Sequence, residues 1–321
     1  MRSGISLLAL FILLRGSDST VLKLLQQAGM ATHAAGGPEA ISFCNVFFFS
    51  SLITGLVLLL SDRRIVLQQL PVLSLADRQL LALQSFSGFF LGPMCFYLAL
   101  DRLSVVQQTL LFSLTVPASA VLAWLLLQER LPRTFPLSCA FIACGLLLAS
   151  QSKLAGSILQ VQSLDLRGVL WALLGVIAFG LSAVLNRVAA TRELGVGLTV
   201  GVSSLAASAA FAAIALLLFG PSHFLYLQNW WVLGVIGGYA IVITLGSQWT
   251  LLQSYAKVSV AQISFWASLT IVVALLEAHL FLSEPLHGRA LMGVALIVIA
   301  IGLHQRNTES GTDEDKTTSH T

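Results

Sequence analysis

Long apolar stretches separated by short polar breaks dominate the pattern of this chain. A helix needs roughly 20 mostly apolar residues to cross about 30 Å of bilayer hydrocarbon. The pattern therefore predicts an all-α integral membrane protein with ten transmembrane helices, at Ser6–Ala28, Ala40–Leu60, Gln79–Leu100, Ser104–Leu127, Phe135–Ser150, Gly168–Val188, Leu198–Phe219, Trp230–Tyr255, Ser259–Phe281 and Ala290–Leu303. The breaks carry charges, Gly or Pro, and none is long enough to hold a soluble domain.

The first apolar stretch begins like a signal peptide, because Arg2 precedes the run from Ile5 to Leu14. Its apolar character resumes after Thr20 and continues through Leu25, which makes the stretch long enough to span. We therefore predict a first membrane helix here.

Basic residues predict the orientation, because cytoplasmic loops accumulate Lys and Arg. An N-terminus placed inside puts eleven basic residues in the cytoplasm: Arg2, Arg63, Arg64, Arg78, Arg130, Arg133, Arg187, Arg192, Lys257, Arg306 and Lys316. The four that face outward are Arg102, Lys153, Arg167 and Arg289. We expect a multi-pass protein of the plasma (inner) membrane with both termini cytoplasmic, ending in a disordered tail over residues 305–321.

An internal repeat is the strongest sign of organisation. Leu103–Leu131 aligns without gaps on Val258–Leu286, and eleven of the 29 pairs are identical. Apolar identities arise by chance in membrane helices, so the polar ones carry the argument. They are Ser104 with Ser259, Gln107 with Gln262, Ser113 with Ser268, Thr115 with Thr270, and Glu129 with Glu284.

The repeat divides the chain into two halves of five helices, residues 1–150 and residues 168–304. Because five is odd, the halves must cross the bilayer in opposite senses. Such inverted repeats are typical of alternating-access transporters, in which two equivalent halves exchange conformations. Duplication could also serve a purely structural bundle, so transport is the favoured interpretation and not the only one.

Composition agrees with a lipid environment and argues against several other classes. Hydrophobic residues make up 57% of the chain and charged residues 10%, the mean hydropathy is +0.89 and the net charge is +3. With no basic block, we expect no nucleic-acid partner. The four cysteines lie in apolar stretches without metal-ligand spacing, so we expect neither disulfides nor a metal, and no motif implies a cofactor. The expected partners are lipid and a small solute.

Ionisable residues at membrane depth are functional candidates, since each costs about 2.5–3.5 kcal/mol on insertion scales. Arg15 and Asp18 lie three residues apart on one face of the first helix and can pair. The pair either packs the halves together or contacts solute, and Asp18 is also a candidate for proton coupling. Glu277 in the ninth helix is the second coupling candidate, and snorkelling to the headgroups is its alternative.

Amide side chains complete the predicted solute path. Asn45, Gln107, Gln248 and Gln262 are the candidates, and Gln107 and Gln262 are repeat equivalents that would flank the path on opposite sides of the midplane. Amides inside helical bundles also bond neighbouring helices without a functional role.

The segment Leu14–Lys23 and the repeated end motifs resemble the drug/metabolite transporter superfamily, specifically its EamA-type permeases. Pro117 lies where the fourth helix of such proteins has a proline, and Glu129 and Glu284 resemble the Glu that closes the fourth and ninth helices. The resemblance implies ten helices, transport of a small metabolite, and a structural role for these three residues. Arg15 stands in place of the family's usual Trp.

Two other classes of function stay open. An intramembrane serine protease would use Ser182 with His279 as its base, but Ser182 matches Ser19 in the repeat and is predicted on the opposite side of the membrane from His279. The second is a membrane scaffold or sensor that moves nothing. We adopt the interpretation that the protein is a permease or exporter and not an enzyme. Coupling of transport to protons is an optional part of this interpretation.

Overall fold

The computed structural model of the chain describes residues 2–35, 41–128, 131, 135–150, 165–225, 230–255, 266–267, 269–286, 288 and 291–299. Within these ranges the regular structure is helical, without strands. We number the long apolar helices in chain order: α1 Arg2–Ala34, α2 Phe43–Ser61, α3 Leu75–Arg102, α4 Val105–Leu127, α5 Phe135–Ser150, α6 Leu166–Thr191, α7 Gly197–Phe219, α8 230–255, α9 Thr270–Leu282 and α10 291–299. Short helical turns at Arg63–Gln69, Leu70–Val72 and Ser222–Leu225 connect them.

Seven of these helices, α1 to α4 and α6 to α8, are long and apolar enough to cross a membrane within the described residues. Large apolar side chains remain exposed on their outer faces, and Leu217 is 83% exposed. Water would not tolerate so much exposed apolar surface, whereas lipid does. The chain is therefore a multi-pass helical membrane protein. Because α5, α9 and α10 are shorter where described, the full count of ten spans stays a prediction.

Helix ends differ from the predicted ones where polar residues continue a helix. α3 begins at Leu75, four residues before the predicted start, because Ser74 and Asp77 form a capping box. The Asp77 amide donates to the Ser74 hydroxyl over 3.2 Å, and the Ser74 amide donates to the Asp77 carboxylate over 3.1 Å. This reciprocal pair satisfies two amides that would otherwise lack partners.

Three helices contain π-helical stretches that the apolar pattern did not predict. They lie at Ser85–Leu91 in α3, Gly197–Val202 at the start of α7 and Tyr239–Leu245 in α8. Those of α3 and α8 both end at a glycine, Gly92 and Gly246. Such bulges are rare and occur often at functional sites, because they redirect the side chains of one turn.

The contacts between helices are the same when each helix is replaced by its equivalent in the other half. α1 packs on α8 and α9, while its counterpart α6 packs on α3 and α4. α2 packs on α8, α7 packs on α3, and the equivalent helices α2 and α7 pack on each other. Replacing each helix by its repeat equivalent leaves this pattern unchanged, so the fold contains the repeat found in the sequence.

The ends of α4 and α9 show the same equivalence in the backbone. Thr115–Leu127 in α4 is followed by Gln128 with φ 55°, and Thr270–Leu282 is followed by Ser283 with φ 54°. Left-handed conformations are uncommon for residues other than glycine. Gln128 and Ser283 are also directly paired in the sequence alignment of the repeats, so the duplicated segments share their termination.

Aromatic side chains fill the centre between α2 and α7. Phe211 is fully buried and lies 5.4 Å from Phe47 and 5.0 Å from Phe90, measured between ring centroids. Such pairs add about 0.5–1.5 kcal/mol beyond their buried area. The two repeats are thus joined through an aromatic core that borders the cavities described below.

Polar contacts join the halves at both ends of the α2–α7 pair. At one end, the Asp62 carboxylate accepts a hydrogen bond of 2.8 Å from the Gly197 amide at the start of α7. At the other end, Ser42 at the start of α2 lies 2.8 Å from Nε2 of His223, which follows α7. The two ends of the pair are therefore joined by different groups: a carboxylate with a backbone amide at one end, and a serine with a histidine at the other.

The first of these ends has three further contacts. The Gln69 amide group donates to the Glu193 carbonyl and accepts from the Gly195 amide, both over 2.9 Å. Arg192 forms an ion pair of 2.7 Å with Asp77. The linker between α2 and α3 is thereby held against the loop between α6 and α7, on the side that the basic residues assign to the cytoplasm.

Candidate functional site

Arg15 and Asp18 lie together near the middle of α1, as their spacing predicts. Nη1 of Arg15 donates to Oδ2 of Asp18 over 2.7 Å, and the hydroxyl of Tyr239 in α8 donates to Oδ1 over 2.7 Å. The Asp18 side chain is 12% exposed and that of Arg15 47%. A carboxylate at membrane depth is thus satisfied by one partner from each repeat.

A cavity of about 130 Å³ opens beside this pair between the two halves. Phenyl rings and hydroxyl groups form most of its wall, contributed by α1, α2, α3, α6, α7 and α8. The lining residues are Arg15, Asp18, Phe47, Ser50, Ser51, Thr54, Gly88, Phe89, Pro93, Phe96, Phe179, Ser204, Tyr239, Thr244 and Gln248. A mixed wall of this kind can hold an apolar body and orient a polar group.

A second cavity of about 300 Å³ also borders the pair, and most of its lining residues come from α1, α4 and the start of α9. Arg15, Asp18 and Phe96 line both cavities. Thr109 lines the second cavity, and its buried hydroxyl has no hydrogen-bond partner among the described residues. The ion pair therefore borders both cavities.

Two of the three π-helical stretches, those of α3 and α8, lie directly against the first cavity. Gly88 and Phe89 come from the stretch in α3, and Tyr239 and Thr244 come from the stretch in α8. Each altered turn rotates the side chains that follow it, so the two equivalent helices both change their geometry at the cavity wall. This position favours a functional role for the bulges.

Gly88 also sets the distance between α3 and α6. A Cβ atom at this position would lie 2.2 Å from the hydroxyl oxygen of Ser182. One turn away, the Gln84 amide donates to Ser182 and to Asn186, each over 2.9 Å. Close backbone approach and a buried amide thus hold the two halves together beside the cavity.

The structure places the four amide side chains of the predicted solute path in different environments. Gln248 lines the first cavity, as expected for the solute path. Gln107 is absent from both linings, and it closes a capping box with Ser104 at the start of α4. Asn45 is fully buried near the start of α2 and also lies outside both linings. Gln262 falls outside the described residues.

The spacing of Gln107 in the repeat does not distinguish a helix cap from a residue that lines the path, so its place in the path stays a prediction. A glutamine three positions after a serine is also the pattern of a capping box. That signal was present in the sequence and could have identified the cap.

Glu277 contacts α1 beside the ion pair. Its Oε1 lies 2.7 Å from the hydroxyl of Ser17, the residue before Asp18. The close approach of α1 to α9 depends on Gly16, where a Cβ atom would lie 2.5 Å from that of Val273. The second coupling candidate is therefore held by a neighbour of the first, rather than facing the headgroups alone.

Glu284 caps α4 from the opposite half. Its two carboxylate oxygens accept hydrogen bonds of 2.8 Å from the Val105 amide and 3.0 Å from the Val106 amide. A carboxylate at a helix N-terminus satisfies free amides and interacts favourably with the helix dipole. This geometry agrees with a structural role for the motif; Glu129, its repeat equivalent, falls outside the described residues.

Pro117 follows a break in α4. The helix is interrupted at residues 113 and 114, and Pro117 could not donate to Ser113 because it lacks an N–H group. In α9, Val272 occupies the equivalent position, yet the helix starts only after Leu269. The proline therefore fits the break without being its sole cause.

The protease alternative receives no support from the geometry of its two residues. The Ser182 hydroxyl accepts a hydrogen bond from Gln84, and Nδ1 of His279 lies 2.8 Å from the Glu284 carbonyl. These contacts place Ser182 within α6 and His279 at the end of α9, each with its own partner. A serine nucleophile needs its base within hydrogen-bond reach.

Sequence reasoning missed the hydroxyl-bearing residues of the cavity, above all Tyr239. Ser50, Thr54 and Ser204 sit in strongly apolar helices, where single hydroxyls commonly bond to the preceding turn. Tyr239 follows two glycines and precedes an apolar run, and this pattern gives no sign of a partner for Asp18. Only the arrangement of α1 against α8 distinguishes these roles.

Comparison with known proteins agrees with this architecture. The model of the EamA-like transporter family matches residues 2–151 and again residues 166–304. A curated protein of Synechocystis sp. is 25% identical to the chain over 300 residues, which cover 92% of this chain and 84% of that protein. Its name describes it as an uncharacterized transporter.

Proposed function

The chain belongs to the EamA-like transporter family, and from this premise we propose that it moves a small metabolite across the plasma membrane by alternating access between two inverted five-helix repeats. Membership makes it a membrane transporter in general terms. The solute path, the ten spans, and the inside location of both termini are the proposed details. Catalysis has no role in this scheme.

The ion pair that lines both cavities carries the proposal. Arg15 and Asp18 contact both cavities, and Tyr239 ties them to the second repeat. In this scheme, a solute moves between the two cavities past this pair, which lines both of them. When the repeats exchange conformations, α1 and α8 shift relative to each other, and the bond between Tyr239 and Asp18 lies across that boundary.

Contacts at the ends of the α2–α7 pair supply the gates in this scheme. Opening toward one side separates Asp62 from Gly197 and Arg192 from Asp77, and opening toward the other separates Ser42 from His223. Arg192 and Asp77 form an exposed ion pair whose loss costs little, and the loss of the buried Ser42–His223 contact must be offset by solute binding. In the proton-coupled version, the candidates for coupling are Asp18, which lines both cavities, and Glu277, which contacts Ser17 in the same helix as Asp18.

Transport is tested by flux into proteoliposomes and inverted membrane vesicles, using a metabolite mixture with and without a proton gradient. A solute that accumulates chemically unchanged supports a transporter, whereas a converted solute indicates an enzyme. No flux of any component beyond protein-free vesicles would favour a scaffold or sensor and would refute the proposal. Loss of accumulation when the gradient collapses would support proton coupling.

Two matched variants in α8 connect flux to the cavity. Gln248→Leu removes a polar group from the cavity wall, while Gln253→Leu makes the same change at an exposed position of the same helix. We expect flux to fall about tenfold in the first variant, equivalent to about 1.4 kcal/mol, and to stay unchanged in the second. Equal flux in both variants would place the path elsewhere.

A further inference from the structure

The guanidinium of Arg15 has more hydrogen-bond donors than it uses. Arginine carries five N–H donors, and among the described residues the Arg15 side chain donates a single hydrogen bond, to Asp18. Its side chain is 47% exposed and lines both cavities. Several donors of a fixed positive charge are therefore available to a solute.

Asp18 is in the opposite situation. Each of its carboxylate oxygens already accepts a short hydrogen bond, one from Arg15 and one from Tyr239, and its side chain is only 12% exposed. A cationic solute would have to compete with both donors for a nearly buried group. The pair is neutral in total, yet the charge that a solute meets is the positive one.

The wall of the smaller cavity fits an apolar body of limited size. Phe47, Phe89, Phe96 and Phe179 line it beside Arg15, and its volume is about 130 Å³. A protein cavity of about 150 Å³ accepts benzene. One ring, or an aliphatic group of similar volume, therefore matches the space next to the guanidinium.

We infer that the site selects a small organic anion, with an oxyanion head bound by Arg15 and an apolar body of about one ring among the four phenylalanines. The inference rests on the proposed function, because it assigns the class of solute to the same cavity. Arginine suits this role because its planar fork binds a carboxylate through two parallel hydrogen bonds. Asp18 orients the fork and keeps the empty site neutral.

Three probes with the same ring and different heads test the selectivity: benzoate, benzyl alcohol and benzylammonium. Calorimetric titration of the purified protein in lipid nanodiscs should show benzoate binding at least about tenfold more tightly than the other two, as expected for hydrogen bonds to a charged group. Arg15→Lys keeps the charge without the fork and should lose a large part of the preference. Arg15→Gln should abolish it.

Arg167→Gln is the matched control, since it removes an exposed arginine at the start of α6, away from both cavities. It should bind benzoate like the unmodified protein. A melting curve of each variant identifies misfolding, and Arg15→Lys keeps the comparison valid even if Arg15→Gln is unstable. Equal affinities for the three probes, tighter binding of benzylammonium, or no binding of benzoate would overturn the inference.

The binding experiment and the flux experiment can fail independently of each other. Anion-selective binding without flux of any solute would leave the inference standing and refute transport. Flux of neutral or cationic metabolites, together with no preference for benzoate, would refute the inference while leaving transport intact.

Discussion

Removing one partner of the Arg15–Asp18 pair should destabilise the protein more than removing both. Arg15→Leu leaves a carboxylate with 12% exposure in a low-dielectric region, with the Tyr239 hydroxyl as its remaining donor. Asp18→Leu leaves a guanidinium that can turn toward the cavities, and it deprives Tyr239 of its acceptor. The double variant leaves no unpaired charge.

The size of each effect follows from exposure. Breaking a fully buried pair from one side costs about 3–5 kcal/mol, but the half-exposed Arg15 reduces that value, and we expect about 2–3 kcal/mol for Arg15→Leu. Asp18→Leu should cost about 1.5–2 kcal/mol, chiefly from the unpaired hydroxyl of Tyr239. The double variant should cost about 1 kcal/mol, which corresponds to a coupling energy of more than about 2 kcal/mol between the two sites.

Equilibrium unfolding in mixed detergent micelles measures these differences for the purified variants. A further variant combines Arg15→Leu with Asp18→Asn, which removes the charge but keeps an acceptor for Tyr239, so its stability should exceed that of Arg15→Leu alone. Additive costs of the single variants, within about 0.5 kcal/mol, would show that the two residues act separately. The assignment of this pair as one unit would then be wrong.

Three further changes test the topology and the contacts between repeats. A cysteine introduced at Ser152 should react with an impermeant maleimide on intact cells and one at Ser310 should not; the reverse labelling would overturn the predicted orientation. Glu284→Ala should lower the unfolding free energy by about 1–2 kcal/mol through the lost cap of α4, and an unchanged stability would exclude the capping role. Gly88→Ala forces a methyl group against Ser182 and should reduce the melting temperature. Adding Ser182→Gly to this variant should restore the melting temperature. If it does not, the clash is not the cause of the loss.

The sequence predicts those parts of the fold that depend on the length of the apolar stretches and on the internal repeat. Gln128 and Ser283 end their helices in the same left-handed conformation because the duplicated segments specify the same local structure. Residues that cap helices were harder to place, because Gln107 and Asp77 are polar for local reasons that a search for solute contacts does not consider. A capping box forms within one helical turn, so the residues that make it can be recognised in the sequence.

The site was predictable only where its residues are costly to bury. Arg15 and Asp18 drew attention because charge in a bilayer requires an explanation, and the structure places them side by side. Tyr239 and Ser204 line the same cavity at little energetic cost, so nothing in their helices distinguishes them from packing residues. Their position depends on how α1, α7 and α8 meet, which is a property of the tertiary arrangement.

The polar contacts at the Asp62 end of the α2–α7 pair bear on the resting orientation of a carrier that works by the proposed scheme. Four polar contacts join the halves at this end: Asp62 with Gly197, Gln69 with Glu193 and with Gly195, and Arg192 with Asp77. In the alternating-access scheme, a difference of about 1.4 kcal/mol between the two closures shifts the empty carrier tenfold toward the state that keeps the stronger one. If the closure at the Asp62 end is the stronger one and that end is cytoplasmic, as proposed, the empty carrier faces outward, and solute arriving from the cytoplasm binds with an apparent affinity reduced by the fraction of carrier that faces inward.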